Sequence, residues 1–239
     1  MLKYKQVNNT HYWYNPDLLT EEVECAFDMN FWKNQEAVVG SAQGRGTTWF
    51  VRGLAGEFAI RHYRRGGLFG KLVRDSYLNL GLKRTRSYQE LEILQRLSDA
   101  GVNVPSPVAA KVTQGLITYT ADIITGRISG AKDLYTLLGK PIETEVDFYA
   151  IGEQIRKMHD VGVNHTDLNI HNILIDASRA VWIIDFDKCY FHSGDHWKKS
   201  NMDRLFRSFK KEAEKGAIQY HSSQIDALLA GYRAPTQGE

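Results

Sequence analysis

His165, Asp167 and Asn172 form an H-x-D-x4-N pattern, and Asp185 follows eighteen residues after Asp167. Between Asn172 and Asp185 the chain reads as a β-hairpin. Apolar residues 173–175 and 181–184 flank a polar turn at 176–180. With the turn centred between Ser178 and Arg179, Asn172 faces Asp185 at the open end, and opposed Cβ atoms lie roughly 5 Å apart. A carboxylate and a carboxamide oxygen so placed could hold one hard cation such as Mg²⁺. Asp167, on the loop just before, is positioned to take a proton from a hydroxyl. Together these groups make a phosphoryl-transfer site.

The elements that must carry them follow from periodicity and punctuation. Residues 36–40 and 47–52 read as short strands joined by a turn holding Gly40, Gly44 and Gly46, and 58–63 as a third strand. Glycines there let backbone N–H groups approach phosphate oxygens, although a plain hairpin turn explains the same spacing. Leu91, Leu94 and Leu97 give residues 87–100 a helical period, closed by Gly101. Strands follow at 108–112 and 116–121, then helices at 143–159, 200–215 and 222–232. Residues 1–34 are rich in aromatics and show no clear period. Five strands with one helix, followed by a helix-rich half carrying a hairpin, predict an α+β chain of two lobes with a cleft between them.

Composition is that of an ordinary globular protein, 43% hydrophobic and 24% charged over 239 residues. No apolar run reaches the roughly 18 residues needed to span a bilayer, and the N-terminus lacks a secretory apolar stretch. Two distant cysteines, Cys25 and Cys189, are expected as free thiols in a reducing cytoplasm. The net charge of +2 is unevenly spread. Residues 61–86 hold eight Lys or Arg against Asp75, which makes that window +7 and the rest of the chain −5. Such clustering suits an anionic partner. The basic stretch at 198–215 fits either an anionic partner or a solvated helical face, and Trp197 with that stretch fits either membrane contact or internal packing. Cys189, His192 and His196 are a weaker zinc pattern, with no second ligand pair following. No aromatic-interleaved platform supports nucleic-acid binding.

In order along nearly the whole chain, the motifs are a Gly-rich turn, the strand-three cation Arg61, the helix carboxylate Glu90, the H-x-D-x4-N loop, and Asp185-Phe186. This set resembles the protein-kinase-like superfamily in its small-molecule branch. The segment R-H-Y-R-R-G-G from Arg61, with Thr85-Arg86 and G-V-N-V-P-S-P from Gly101, is similar to the lipopolysaccharide kinases that act on 3-deoxy-D-manno-octulosonic acid (Kdo). The resemblance implies a bilobal kinase-like fold, with a small β-rich N-lobe at 1–121 carrying one main helix and a helical C-lobe at 122–239 carrying the catalytic hairpin. It implies Asp167 as catalytic base and Asn172 and Asp185 as Mg²⁺ ligands. Gly40, Gly44, Gly46, Arg61 and Glu90 would serve ATP phosphates, and residues 120–123 would form a hinge whose backbone at Ala121 and Ile123 meets adenine.

The resemblance further implies a lipid-linked anionic acceptor, Kdo on a lipid A precursor, phosphorylated on its 4-hydroxyl. It implies a peripheral position on the cytoplasmic face of the bacterial inner membrane. Arg64, Arg65, Lys71 and Arg86 are candidate acceptor-binding cations. Two departures stand out: the strand-three cation is Arg where Lys is usual, and Asp187 replaces the glycine after Asp-Phe. The alternatives are a kinase of core heptose, an aminoglycoside-like molecule or protein, and a nucleotide-binding pseudokinase scaffold.

Overall fold

The computed structural model describes residues 1–44, 46–64, 75–139 and 146–234. Two compact units emerge, one formed by residues 1–92 with 106–127 and the other by 93–105 with 128–239. The chain passes from one unit to the other after residues 92, 105 and 127. The mixed α+β class matches expectation.

The first unit is built on an eight-stranded antiparallel sheet. Its strands are β1 (Lys3–Val7), β2 (Thr10–Tyr14), β3 (Val38–Gln43), β4 (Thr47–Arg52), β5 (Glu57–His62), β6 (Tyr77–Leu78), β7 (Pro107–Gln114) and β8 (Thr118–Gly126). They run in the order β1-β2-β7-β8-β5-β4-β3, with β6 on β8. Sequence reading found five of these strands and missed β1, β2 and β6. The N-terminal hairpin extends the sheet beyond β7, from Thr10 against Thr113 to Tyr14 against Ala109.

The segment after β2 covers one sheet face with two short helices, α1 (Val23–Ala26) and α2 (Met29–Asn34). Asp28 caps α2 by accepting from the Asn30 N–H at 2.9 Å. Trp32 is fully buried there, its Nε1–H donating to the Ala26 carbonyl at 2.9 Å, in a core with Val23, Phe58, Ile60 and Ile124. The aromatics of residues 1–34 are therefore core and cross-strand residues. Helix α3 (Arg86–Asp99) follows a short 3₁₀ turn, Leu82–Arg84, and Ser87 donates to the Lys111 carbonyl at 3.1 Å.

Residues 120–123 are the middle of β8 and not a hinge. Ala121 opposes Val112, and Ile123 opposes Ala110 on one side and Arg61 on the other. The Ala121 carbonyl also accepts from the Tyr63 N–H at 3.0 Å. A strand with ladder partners on both edges offers no backbone edge to a ligand, so the adenine role expected of Ala121 and Ile123 is corrected. The strand runs on to Gly126 because β5 stays paired with it that far, Phe58 opposite Gly126.

The second unit contains β9 (Lys132–Asp133), α4 (Leu134–Leu138), α5 (Phe148–Asp160), β10 (Val163–Asn164), β11 (Ile173–Ile175), β12 (Val181–Ile183), β13 (Tyr190–Phe191), α6 (Lys198–Glu214) and α7 (Ser222–Arg233). Asp147 caps α5 through the Ala150 N–H at 3.0 Å, so the helix begins later than residue 143. Helices α5 and α7 meet at glycines. A Cβ on Gly152 would sit 2.0 Å from the Leu228 carbonyl oxygen, and one on Gly231 2.0 Å from that of Tyr149. Strands β12-β11-β9 form one small sheet, and β10-β13 another. No helix among the described residues is long and apolar enough to cross a membrane.

The hairpin after Asn172 forms as expected, with its register shifted by one. Ile173 opposes Ile183 and Ile175 opposes Val181, so Asn172 faces Ile184, whose N–H donates to the Asn172 carbonyl at 3.0 Å. Asp176 sets this register. Its carboxylate accepts from the Ser178 N–H and hydroxyl, the Ala180 N–H and the Trp182 indole. Those bonds, the Ser178 hydroxyl first, hold it below the usual carboxylate range. They close a three-residue loop centred on Ser178, with Arg179 left-handed at φ 68°. The pairing of Asn172 directly with Asp185 is therefore corrected.

Candidate active site

In the first unit, Arg61 and Glu90 come together as the motif order requires. The Arg61 Nη2 donates to Glu90 Oε1 and Oε2 at 2.6 and 2.7 Å. Glu90 is buried, and the Tyr63 hydroxyl donates to its Oε2. The Arg61 guanidinium also lies 5.1 Å from the Tyr63 ring centroid. A cation fixed at its base by a buried carboxylate keeps its charge and its direction.

Gly40 lies within β3, opposite Phe50. Gly44 and Gly46 form the turn, where the Gly44 N–H donates to the Gly46 carbonyl at 2.9 Å. The stem of Arg64 crosses this turn: a Cβ on Gly46 would meet the Arg64 Cδ at 3.1 Å. Arg64 thus brings its charge to the glycine turn. Arg86 is held elsewhere, its Nη1 donating to the Tyr77 hydroxyl at 2.9 Å and its guanidinium over the Tyr63 and Tyr77 rings. Arg65 and Lys71 lie outside the described residues.

In the second unit, the loop from His165 to Asn172 is fixed through its backbone. The Asp167 carbonyl accepts from the side-chain amides of Asn169 at 2.8 Å and Asn172 at 2.9 Å. The Asp167 N–H donates to His165 Nδ1 at 3.3 Å. Nδ1 is then an acceptor, so Nε2 carries the proton and donates to the Ile184 carbonyl at 3.0 Å. His165 is fully buried, and burial lowers its pKa, which keeps the ring neutral in that tautomer. It braces the loop and does not transfer protons. The Ile170 N–H is anchored by the Ser208 hydroxyl at 3.2 Å, and Leu168 and Ile170 are buried beneath. Asp167 itself is exposed, and no described residue donates a hydrogen bond to its carboxylate. Such a group can accept a proton from an incoming hydroxyl without first breaking a bond.

Because the Asn172 Nδ2 is committed to the Asp167 carbonyl, its Oδ1 is the atom left for a cation. Asp185 is exposed and left-handed, at φ 65°, a conformation that Asp tolerates better than most residues. Phe186 next to it is buried, 4.9 Å from the His165 ring centroid. Carboxylate and carboxamide oxygens are the donor set of Mg²⁺, which takes one or two carboxylates and completes its shell with water and phosphate. Among the described residues no three His, Cys, Asp or Glu gather as a metal cage, and this holds for Cys189, His192 and His196 as well. Asp187 is not among the residues with positive φ, so the backbone there does not demand the glycine that it replaces.

Sequence reading missed the support behind this loop. Asn201, buried on α6, accepts from the His165 N–H at 3.0 Å and donates to Asn164 Oδ1 at 2.8 Å. Asn164 in turn donates to the Tyr190 hydroxyl at 3.1 Å. His159, buried near the end of α5, contacts Asn201 Oδ1 at 3.4 Å through Nε2 and the Tyr232 hydroxyl at 2.7 Å through Nδ1. Burial pushes its pKa down to about 4. The available signal was a polar residue, Asn201, on the same helical stripe as Leu205 and Phe209. On the outer face, Lys199 and Lys210 pair with Asp203 and Glu214 four residues on, as a solvated helix does. Trp197 is buried, its Nε1–H on the Gly194 carbonyl at 2.7 Å.

A family profile described as the lipopolysaccharide kinase (Kdo/WaaP) family matches residues 29–232. The chain belongs to this family. It is 49% identical over 228 residues to a 3-deoxy-D-manno-octulosonic acid kinase of Photobacterium profundum, covering 95% of this chain and 97% of that one. It is 51% identical over 222 residues to the protein of that name from Vibrio cholerae serotype O1, covering 92% and 94%. The Haemophilus influenzae (strain PittEE) protein is 43% identical over 235 residues, covering 95% and 98%. As in the lipopolysaccharide kinase family at large, the chemistry here is phosphoryl transfer. The paired Arg61 and Glu90 and the braced Asp167 loop are the parts of this chain suited to it.

Proposed function

We propose that this protein transfers the γ-phosphoryl group of ATP to a hydroxyl of Kdo on a lipid-linked lipopolysaccharide precursor. The finer reading is the 4-hydroxyl of Kdo on lipid IVA, reached at the cytoplasmic face of the inner membrane. Near-full-length similarity to proteins named as Kdo kinases supports the acceptor class. The observation that carries the reaction is Asp167: an exposed carboxylate without a described hydrogen-bond donor, on a loop whose backbone is bonded on both sides.

Asp167 orients the acceptor hydroxyl and takes its proton as the bond to phosphorus forms. Asn172 Oδ1 and the Asp185 carboxylate would hold Mg²⁺, which offsets charge on the transferring phosphoryl group when bound. Arg61, aimed by Glu90, is the cation of the first unit suited to nucleotide phosphates, and Arg64 adds charge at the glycine turn. This moves Arg64 from the acceptor side of the reaction to the phosphate side. Positioning and fixed charge supply the rate, as in other phosphoryl transfers.

The test is transfer from labelled ATP with Mg²⁺ to three acceptors: a Kdo-bearing lipid A precursor, a heptosylated core and a generic protein. Label on the Kdo-bearing acceptor, mapped to one hydroxyl, is the expected result. Transfer to heptose or protein alone would overturn the assignment.

A further inference from the structure

One end of the eight-stranded sheet carries an apolar tip that the phosphoryl-transfer chemistry does not use. Leu78, Leu80, Leu116 and Ile117 are 63, 70, 102 and 70% exposed, and Val7 beside them is 37% exposed. They lie on three adjacent turns. Leu78 opposes Thr118, and the Asn79 N–H donates to the Ile117 carbonyl at 3.0 Å. The β1–β2 turn joins from the other side, where the Asn9 Nδ2 donates to the Gln114 carbonyl at 2.6 Å. Isolated exposed aliphatic residues need no explanation, but a contiguous group on neighbouring turns does.

Charge separates the possible occupants. Lys83 and Arg84 are exposed on the 3₁₀ turn that follows Leu80. Neither has an ion-pair partner among the described residues. Residues 76–89 and 114–118 contain no Asp or Glu. Aliphatic side chains on turn tips with cations at their edge match an anionic bilayer: methyl groups enter the acyl boundary while Lys and Arg meet lipid phosphates. Protein-binding patches instead enrich aromatic residues and methionine at their centre, and this tip has neither.

The position fits as well. Thr48 opposes Arg61, and His62 opposes Asp122. The glycine turn, Arg64 and the β7–β8 turn therefore share one end of the sheet. We propose that this tip, formed by Val7, Leu78, Leu80, Leu116 and Ile117 with Lys83 and Arg84, docks the protein on an anionic lipid bilayer. Docking there presents the phosphate-binding end of the sheet to the membrane that carries the acceptor. The proposal rests on the functional reading above only for the acceptor's place in a bilayer.

The test omits acceptor and ATP, so its failure leaves the kinase reading standing, and a failed kinase reading leaves its result intact. The full-length protein is sedimented with vesicles of phosphatidylethanolamine and phosphatidylglycerol, and with phosphatidylcholine alone, at low and physiological salt. Binding to the anionic vesicles only is expected. Leu116→Ser with Ile117→Ser should weaken it roughly tenfold or more. Lys83→Gln with Arg84→Gln should weaken it a few-fold at low salt and flatten its salt dependence. Both variants should melt within about 2 °C of wild type, since the altered side chains are on the surface. Three results overturn the proposal. They are wild type that stays with the supernatant, a Leu116/Ile117 variant that sediments like wild type, or a wild-type dimer that the Leu116/Ile117 variant splits, which would make the tip a self-association face.

Discussion

In the first unit Arg61, the proposed phosphate-binding cation, is held by an opposite charge, the buried carboxylate of Glu90. In the second, Asp167 is held through its main chain by neutral amides and a neutral imidazole. The difference suits the part that each group has in the proposed reaction. A cation that stabilises phosphate charge works whether or not a carboxylate steadies it, and the partner fixes its direction. A base paired with a cation would lose its affinity for the proton. The second unit therefore supports the backbone and leaves the carboxylate alone. Two of the histidines show the same pair of environments. His62 in the first unit touches Asp122 at 2.7 Å and Asp75 at 3.3 Å, whereas the described hydrogen-bond partners of His159 in the second are a hydroxyl and an amide.

The largest expected effect breaks the second unit's half of this contrast. Asp167→Asn should lower kcat on the order of a thousandfold or more. ATP affinity and the melting temperature should be nearly unchanged, because no described residue bonds to the carboxylate. A steady-state assay alongside a melting curve measures both. A large loss of stability would mean that the carboxylate has a structural partner.

Next in size is the dependence of stability on pH, where the two histidines act with opposite sign. His159 is held to about 4 by burial, so as pH falls from 6.5 toward 4 the unfolded chain takes a proton that the native state refuses. Stability falls across that window by on the order of 3 kcal/mol. The pKa of His62 is raised, chiefly by its hydrogen bond to Asp122. Its contribution is complete below 6.5 and is lost as pH rises through its native value. Histidine proton titration by NMR reads both directly. His159 titrating above 6, or His62 below 6, would contradict the packing described here.

A smaller effect sharpens the first unit's half. Glu90→Gln keeps the size and a hydrogen bond but removes the charge that steadies Arg61. It should reduce kcat/KM for ATP about ten- to a hundredfold, consistent with loss of a charge-assisted bond. Asp167 should remain competent, so acceptor binding should change little. Separate KM values for ATP and acceptor distinguish this from a general loss of folding.

The chemistry-bearing residues were legible because type and spacing along one short segment define them: His165, Asp167 and Asn172 lie on one loop, and Asp185 ends the hairpin that follows. The register was not legible, because it turns on one side chain. Four bonds to the Asp176 carboxylate move the turn centre by half a residue, which changes every pairing. The hinge reading failed at Ala121 and Ile123 because a strand's length is set by its neighbours. Nothing in residues 120–123 announces that β7 extends beside the strand to Thr125 and β5 to Gly126. The N-terminal hairpin escaped notice because Tyr4, His11 and Trp13 cluster with one another, where a strand is usually read from apolar alternation. Asn201 was hidden by the lysines around it.

The close crossing of α5 and α7 has a consequence for the order of synthesis. Gly152 and Gly231 bring the two backbones together at distances no side chain could enter, and Tyr232, one residue on, bonds His159 from the same helix. The ribosome makes α5, the Asp167 loop and the catalytic hairpin well before it makes α7. Until that helix emerges, the glycine face of α5 lies open to water and the imidazole of His159 lacks its phenol partner. Maturation of the second unit therefore waits on one late helix, and a nascent chain halted before Ser222 would hold the Asp167 loop and the hairpin after it on an unfinished support.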